Sequence, residues 1–204
     1  MFLRYFPLEP IGTNLVILAC SESRQALLID APGGALEVAE RVLKDEGFTA
    51  VAIFLTHTHW DHIIDCAAME KRFALPVYVD ERDGYNLIKP GSDELMGADI
   101  APVLAPRYFL AHFQLGKLSI EILRTPGHSH GSVCFYLKNE KTLISGDTLF
   151  CGGMGRVDLP TSDRRKMAHS LALLALLPEN TRVIPGHGEE TTIGDEINWL
   201  KRYK

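Results

Sequence analysis

The segment Thr56-His57-Thr58-His59-Trp60-Asp61-His62 constrains this chain more than any other stretch. It sets three imidazoles and one carboxylate within six residues, directly after the apolar run Ala50-Val51-Ala52-Ile53-Phe54-Leu55. That run is partly β-branched and aromatic and too short for a helix, so it reads as a buried strand. Donor atoms then gather at the end of a rigid sheet, where a metal ion could be held. His57 and His59 are two residues apart, so an extended backbone sends both side chains to the same side. Asp61 and His62 fall where the chain turns into a helical pattern running from Asp61 to Phe73, with Asp61 expected at its cap. A ligand pair on each side of a turn suits two adjacent metals.

The 204 residues suffice for a sizeable core, and we expect one domain over 1–204. Apolar content of 46% and charged content of 23% are those of an ordinary soluble globule. A formal charge of −5 gives no electrostatic reason to expect nucleic acid as a partner. Cys20, Cys66, Cys134 and Cys151 are widely spaced with no Cys-x-x-Cys pair, which argues against a disulfide scaffold or a zinc ribbon and suits a reducing compartment. The N-terminus lacks the apolar core of a signal peptide, and no apolar run approaches bilayer length. The expectation is a cytoplasmic enzyme acting on a small molecule, with no membrane partner and no indication of oligomeric state.

Strands and helices alternate twice along the chain. Strands are expected at 15–19 and 26–29, then a helix at 35–46 with apolar positions Leu36, Ala39, Val42 and Leu43, closed by Gly47. The strand at 50–55, the His/Asp turn, the helix and a strand at 77–79 follow. Residues 90–106, marked by Pro90, Gly91, Gly97 and Pro102, read as a long connection or a lid. The second half is expected to hold strands at 108–115, 118–124, 132–137 and 142–145. After them come a helix capped by Thr161-Ser162-Asp163 and running to Leu177, a strand at 182–184 and a terminal helix at 194–203. Helices after strands in both halves suggest two packed sheets with helices outside, a four-layer αββα sandwich of the α/β class.

Three later turns share the character of the first. They are Thr125-Pro126-Gly127-His128-Ser129-His130, Ser145-Gly146-Asp147-Thr148 and Pro185-Gly186-His187-Gly188. Each puts a His or Asp just beyond a strand end, with glycine allowing close backbone approach. Singly each is only a turn. With the first cluster they supply five histidines and two aspartates, the inventory of a binuclear site with a shared carboxylate.

With these four motifs in this order, the chain resembles the metallo-β-lactamase superfamily over nearly its whole length. The resemblance implies an αββα fold with the site at one edge between the sheets. It also implies that His57, His59 and His128 bind one divalent metal and Asp61, His62 and His187 a second, with Asp147 bridging. Asp61 and Asp147 are then the expected catalytic carboxylates. Gly146-Asp147-Thr148-Leu149-Phe150, followed by Gly152-Gly153-Met154-Gly155-Arg156-Val157-Asp158, looks most like short bacterial glyoxalase II (hydroxyacylglutathione hydrolase). Persulfide dioxygenases share the Gly-Arg-x-Asp element. Only 17 residues follow His187, so we expect no extra helical domain of the kind longer glyoxalase II enzymes use to hold glutathione. Ile64-Asp65 stands where that family carries Gly-Gly, and its lysine and tyrosine contacts to glutathione have no clear counterpart.

The expected chemistry is hydrolysis of a small thioester such as S-lactoylglutathione. Metal coordination lowers the pKa of water from about 16 to about 7, and a positive centre stabilises the oxyanion. Two zinc ions are the first choice, with iron or manganese as alternatives for a site without thiolates. The rival enzyme reading is a mononuclear iron persulfide dioxygenase using His57, His128 and Asp147. Another ester, lactone or phosphodiester hydrolase of this fold, or a metal-binding module without catalysis, completes the set. Of the remaining residues, His112 and His169 read as surface or packing positions, and His130 as a neighbour that lines the pocket or does not. Cys151 is expected to be buried and inert, Arg156 to pin its own loop to Asp158, and Asp30 either to support the ligand loops or to cap its turn.

Overall fold

The computed structural model describes residues 1–95 and 97–203. The first half contains strands β1 (Phe2–Leu8), β2 (Thr13–Ala19), β3 (Gln25–Ile29), helix α1 (Ala35–Glu46) and β4 (Thr49–Phe54). Helix α2 (Cys66–Phe73), β5 (Val77–Val79), α3 (Gly84–Ile88) and β6 (Arg107–Tyr108) complete it. The second half runs through β7 (His112–Leu115), β8 (Leu118–Arg124), β9 (Val133–Leu137), β10 (Thr142–Gly146) and α4 (Arg164–Leu174). It ends with β11 (Arg182–Pro185), β12 (Thr191–Thr192) and α5 (Ile193–Leu200).

These strands form two six-stranded mixed sheets, ordered β1-β2-β3-β4-β5-β6 and β12-β11-β10-β9-β8-β7. Side chains of β2 show how the layers arise. Leu15 and Ile17 point one way and Val16 and Leu18 the other, yet all four are buried, because both faces of the strand are covered. Val16, Leu18, Leu27 and Phe54 meet Ile120, Ile122, Phe135 and Ile144 of the second sheet in the central core. Leu15, Ile17, Leu28 and Ile53 pack instead under α1 and α2, against Ala39, Val42 and Met69. On the far side Tyr136, Leu143 and Val183 pack under α4 and α5, against Met167, Leu171 and Ile197. The four-layer αββα sandwich is therefore the observed fold. Phe54 is its centre, with Tyr78, Phe109, Phe113 and Phe135 ring centroids 4.9–5.4 Å away.

Several boundaries differ from expectation. The run 108–115 is not one strand. Tyr108 pairs with Val79 in the first sheet and His112 with Glu121 in the second, so the chain changes sheets between them. The helix expected from Asp61 begins at Cys66, with Asp65 at its N-cap, after a 3-10 turn over Trp60–His62. Asp61 does not cap, because its carboxylate is turned inward and accepts a 2.6 Å hydrogen bond from Thr13 Oγ1. Helix α4 is capped by Asp163 as expected but gives way to turns after Leu174. The terminal helix ends at Leu200 and tightens into a 3-10 turn over Lys201–Tyr203.

Candidate metal centre

β4 runs parallel to β3 and β5, and β10 runs parallel to β11; β4, β10 and β11 all end at the same edge of the sandwich, so their following turns converge. The turn after β4 carries His57, His59, Asp61 and His62, the turn after β8 His128, the turn after β10 Asp147, and the turn after β11 His187. β2 locks the last of these in place: Asn14 N donates to Gly186 O at 2.7 Å, and the Asn14 side-chain amide donates to Pro185 O. The donor atoms form three overlapping groups, each within 4.8 Å: His57, His59, His128; His57, His62, Asp147; and Asp61, His62, His187. Every site residue singled out by the motifs is thus brought together, and Asp147 lies beside both outer groups. His62 Nε2 is 3.4 Å from Asp147 Oδ1, and His128 Nε2 is 3.3 Å from Asp147 Oδ2.

The outward ring nitrogens are held by neighbours, which fixes the tautomers and aims the lone pairs inward. Asp30 accepts from Thr56 N, Thr56 Oγ1 and His62 Nδ1 at 2.7, 2.8 and 2.9 Å. Since the Thr56 hydroxyl is spent on Asp30, His57 Nδ1 donates to Thr56 Oγ1 at 3.1 Å. His128 Nδ1 donates to Arg156 O at 3.0 Å, and His59 Nε2 to Thr161 Oγ1 at 3.3 Å. Asp30 reaches its three donors from a left-handed backbone conformation with φ of 60°, a strain that the surrounding hydrogen bonds hold.

His57 Nε2, His62 Nε2 and Asp147 Oδ1 are left buried without a hydrogen-bond partner. His59 Nδ1 and His128 Nε2 face each other at 2.8 Å, and with the tautomers above both present lone pairs. Orphaned acceptors and opposed lone pairs are costly unless a cation sits among them. Imidazole nitrogens with carboxylate oxygens are a donor set suited to zinc, iron or manganese. The residues fit divalent metal.

Electrostatics divide the cluster. Burial, reinforced by neighbouring His62 and His59, holds His57 well below the usual imidazole value, and burial beside His128 lowers His59 to about 3. These rings are neutral and ready to coordinate. Burial alone would lower His62 and His187 too, but Asp61, Asp30 and Asp147 raise His62 well above the usual value. Hydrogen bonds to Asp147 and Asp61 likewise raise His187 to about 9. Asp61 and Asp147 are pulled below the ordinary carboxylate range against the cost of burial, chiefly by His62.

Above the donors opens a cleft of about 340 Å³. Its walls are Ile11, Trp60, Leu95, Phe150, Met154 and Leu159, with Arg156 at the side. Arg156 forks onto Asp158 through hydrogen bonds of 2.9 and 3.1 Å, the loop-pinning role expected of it. Asp30 supports the ligand loops rather than only its own turn. Cys151 is exposed rather than buried, because it sits at the tip of the Phe150–Gly153 turn. His130 is exposed and does not line the cleft, and His112 and His169 lie on β7 and α4 away from it. Thr13 and Thr161, which hold Asp61 and His59, carry no sequence signal: each is a lone threonine distant in the chain from its partner.

Comparison with known proteins agrees with this geometry. The family profile described as the metallo-beta-lactamase superfamily matches residues 9–187. A Bacillus subtilis (strain 168) protein named "Probable metallo-hydrolase YqgX" is 36% identical over 196 residues, covering 93% of this chain and 92% of that one. The solved structure of the BLEG-1 B3 metallo-beta-lactamase superposes with a TM-score of 0.88 at 37% identity, over 97% of each chain. TTHA1623, solved in a di-iron-bound form, superposes with a TM-score of 0.82 at 35% identity, over 96% of each.

Proposed function

The chain belongs to the metallo-beta-lactamase superfamily, and from that premise we propose that it is a binuclear metallohydrolase of a small thioester. Its carrying observation is the trio of overlapping donor groups that share His57, His62 and, beside both ends, Asp147. His57, His59 and His128 would hold one divalent ion, Asp61, His62 and His187 the other, with Asp147 serving both. Zinc is the first choice for so imidazole-rich a set, and the di-iron form of TTHA1623 makes iron its rival. Bound divalent ions supply hydroxide at neutral pH and positive charge opposite a developing oxyanion.

The chain's own residues do the rest. Asp147 Oδ1, buried and unpartnered, is placed to orient the attacking water. Asp61, anchored by Thr13, keeps His187 turned into the cleft. Beyond the histidines and aspartates that would hold metal, the described residues lining the cleft include no Lys, Tyr, Glu or Cys to protonate a departing group. A thiolate needs no such donor, since thiol pKa values lie near 8.5 and the sulfur leaves as an anion. An amine does need one, which favours a thioester over an unstrained amide. The overall change adds water across the acyl–sulfur bond, giving a carboxylic acid and a thiol.

Lactoyl-glutathione is the reference substrate that the Gly-Asp-Thr and Gly-Arg-x-Asp elements suggest. A second reading, β-lactam hydrolysis, is favoured by the likeness to BLEG-1. The test offers the metal-loaded protein a thioester without oxygen, glutathione persulfide in an oxygen-electrode cell, and a chromogenic β-lactam. Thiol release in the first arm alone supports the proposal. Oxygen uptake without thioester cleavage moves the assignment to a persulfide dioxygenase, and turnover of the β-lactam alone to a lactamase.

A further inference from the structure

The walls of the cleft are unusual for a site meant to read a charged carrier. Apart from the metal-binding donors, the described residues lining it are six apolar side chains and one arginine. Arg156 is already neutralised by its two-pronged contact with Asp158, and both side chains are mostly in solvent. The floor adds the carboxylates of Asp61 and Asp147, and the whole chain carries a formal charge of −5. Glutathione brings two carboxylates and one ammonium, and none of the described wall residues is free to pair with them. Desolvating unpaired charge against apolar walls is unfavourable.

The apolar side is built in. Trp60 lies between the ligands His59 and Asp61, and a Cβ added at Gly97 would stand only 2.3–2.5 Å from its indole ring. Gly97 therefore packs directly on the indole and holds it as a wall of the cleft, which Leu95 also lines. Ile11, 54% exposed, stands at the rim with no polar duty. Met154 is backed by the Tyr203 hydroxyl, 3.8 Å from its sulfur, which steadies an otherwise flexible side chain.

We infer that this cleft selects substrates that are uncharged and apolar away from the reacting carbonyl, such as a short-chain acyl thioester of a neutral thiol. Trp60, Leu95, Met154 and Ile11 set that preference. It rests on the thioester reading above for the reacting bond, but it concerns binding and is testable without turnover.

The probes are thioethers, which the protein cannot hydrolyse, titrated calorimetrically into the metal-loaded protein. One series is S-alkyl N-acetylcysteamine and the other S-alkylglutathione, each from methyl to butyl. In the neutral series affinity should rise about fourfold per methylene, equivalent to ~0.8 kcal/mol. The glutathione compounds should bind no tighter at equal alkyl length. Leu95→Ser and the solvent-facing Ile11→Ser should each flatten the chain-length gain to twofold or less while leaving the methyl compound unchanged. Arg156→Gln should leave both series within about threefold. The inference is overturned if glutathione compounds bind tenfold tighter and lose that margin in Arg156→Gln, if chain length has no effect, or if neither series binds. Binding of the neutral series without cleavage of the matching thioesters would sink the hydrolase reading and leave the selectivity standing.

Discussion

Asp83 Oδ2 accepts a 2.6 Å hydrogen bond from Ser129 Oγ, and its Oδ1 accepts one of 2.6 Å from Gly131 N. The same segment grips the first ligand loop: Thr58 Oγ1 donates to Asp83 O, and Asn86 Nδ2 donates to Thr58 O at 2.6 Å. Thr58, between His57 and His59, and Ser129, next to His128, are therefore tied to one short stretch. The N-cap and first turn of α3 act as a clamp across two ligand loops from different sheets.

Asp83→Ala should consequently act on the metal centre from a distance. It leaves the buried donor Gly131 N without an acceptor and Ser129 Oγ with Ser132 Oγ alone, a cost of about 1–3 kcal/mol. Metal affinity should fall roughly 10-fold, as for other residues that orient ligands, with loss first from the His57, His59, His128 group. Asp83→Asn, which keeps an acceptor for Gly131 N, should be milder. Metal titration and chemical denaturation on both variants check this, and equal metal affinity in Asp83→Ala and wild type would refute it.

Substitution of the ligands should separate the two halves of the centre. Asp147→Asn is expected to lower metal content in both and reduce turnover by at least ~10²-fold, the range seen when a key charge-stabilising group is lost. His57→Ala should deplete mainly the group shared with His59 and His128, and His187→Ala mainly the group shared with Asp61 and His62. Elemental analysis after dialysis gives the stoichiometry. Full metal content and rate in Asp147→Asn would contradict the binuclear proposal.

A pH effect on stability follows from Asp80. Burial opposes its charge, but hydrogen bonds and charge from Arg82, with Arg124 adding to them, hold its pKa below the ordinary carboxylate value. A depressed folded pKa stabilises the fold above the unfolded value of 3.8 and loses that contribution as pH falls through the folded value. Both guanidinium groups are nearly half exposed, so screening limits the contribution to ~1 kcal/mol. Asp80→Asn should lower the denaturation midpoint at pH 7 and narrow its gap to wild type below pH 4. A constant gap across that range would rule the linkage out.

The seven candidate ligand positions were legible because each follows a short apolar strand: His57, His59, Asp61 and His62 as one cluster, and His128, Asp147 and His187 each beside a glycine. The two-sheet arrangement was legible because strands are followed by helices in both halves of the chain, so each half supplies a sheet with a helical cover. Other features depend on partners far away in sequence. Tyr108 to Leu115 contains no Gly, Pro, Asn or Asp, so nothing local marks where the backbone leaves Val79 for Glu121. β1 is an edge strand containing Pro7, with no fully buried position, and offers no strong pattern. Asp61 looks like a cap because Asp before a helical stripe normally is one. Only the approach of Thr13, 48 residues earlier, turns it into the site.

The same logic of close approach makes Gly186 the sharpest test of how Asp147 is held. A Cβ built on Gly186 would lie 2.1 Å from Asp147 Oδ1 and 3.0 Å from His62 Cε1. The backbone cannot retreat to make room, since Gly186 N donates to Gly146 O at 2.9 Å and Gly186 O accepts from Asn14 N at 2.7 Å. Gly186→Ala must therefore displace the carboxylate, because a methyl group at 2.1 Å from an oxygen is not tolerated. Overpacking of this kind costs about 1–3 kcal/mol of stability, and metal affinity should drop roughly 10- to 100-fold as Asp147 swings away. Gly188→Ala is the control. Its backbone has φ of +75°, so alanine is strained there, but its Cβ would meet nothing within 4 Å. That variant should lose about 1 kcal/mol of stability and keep its metal. If both variants retain wild-type metal affinity, Asp147 is mobile enough to reach its ligand position by another route, and the rigid placement argued for it fails.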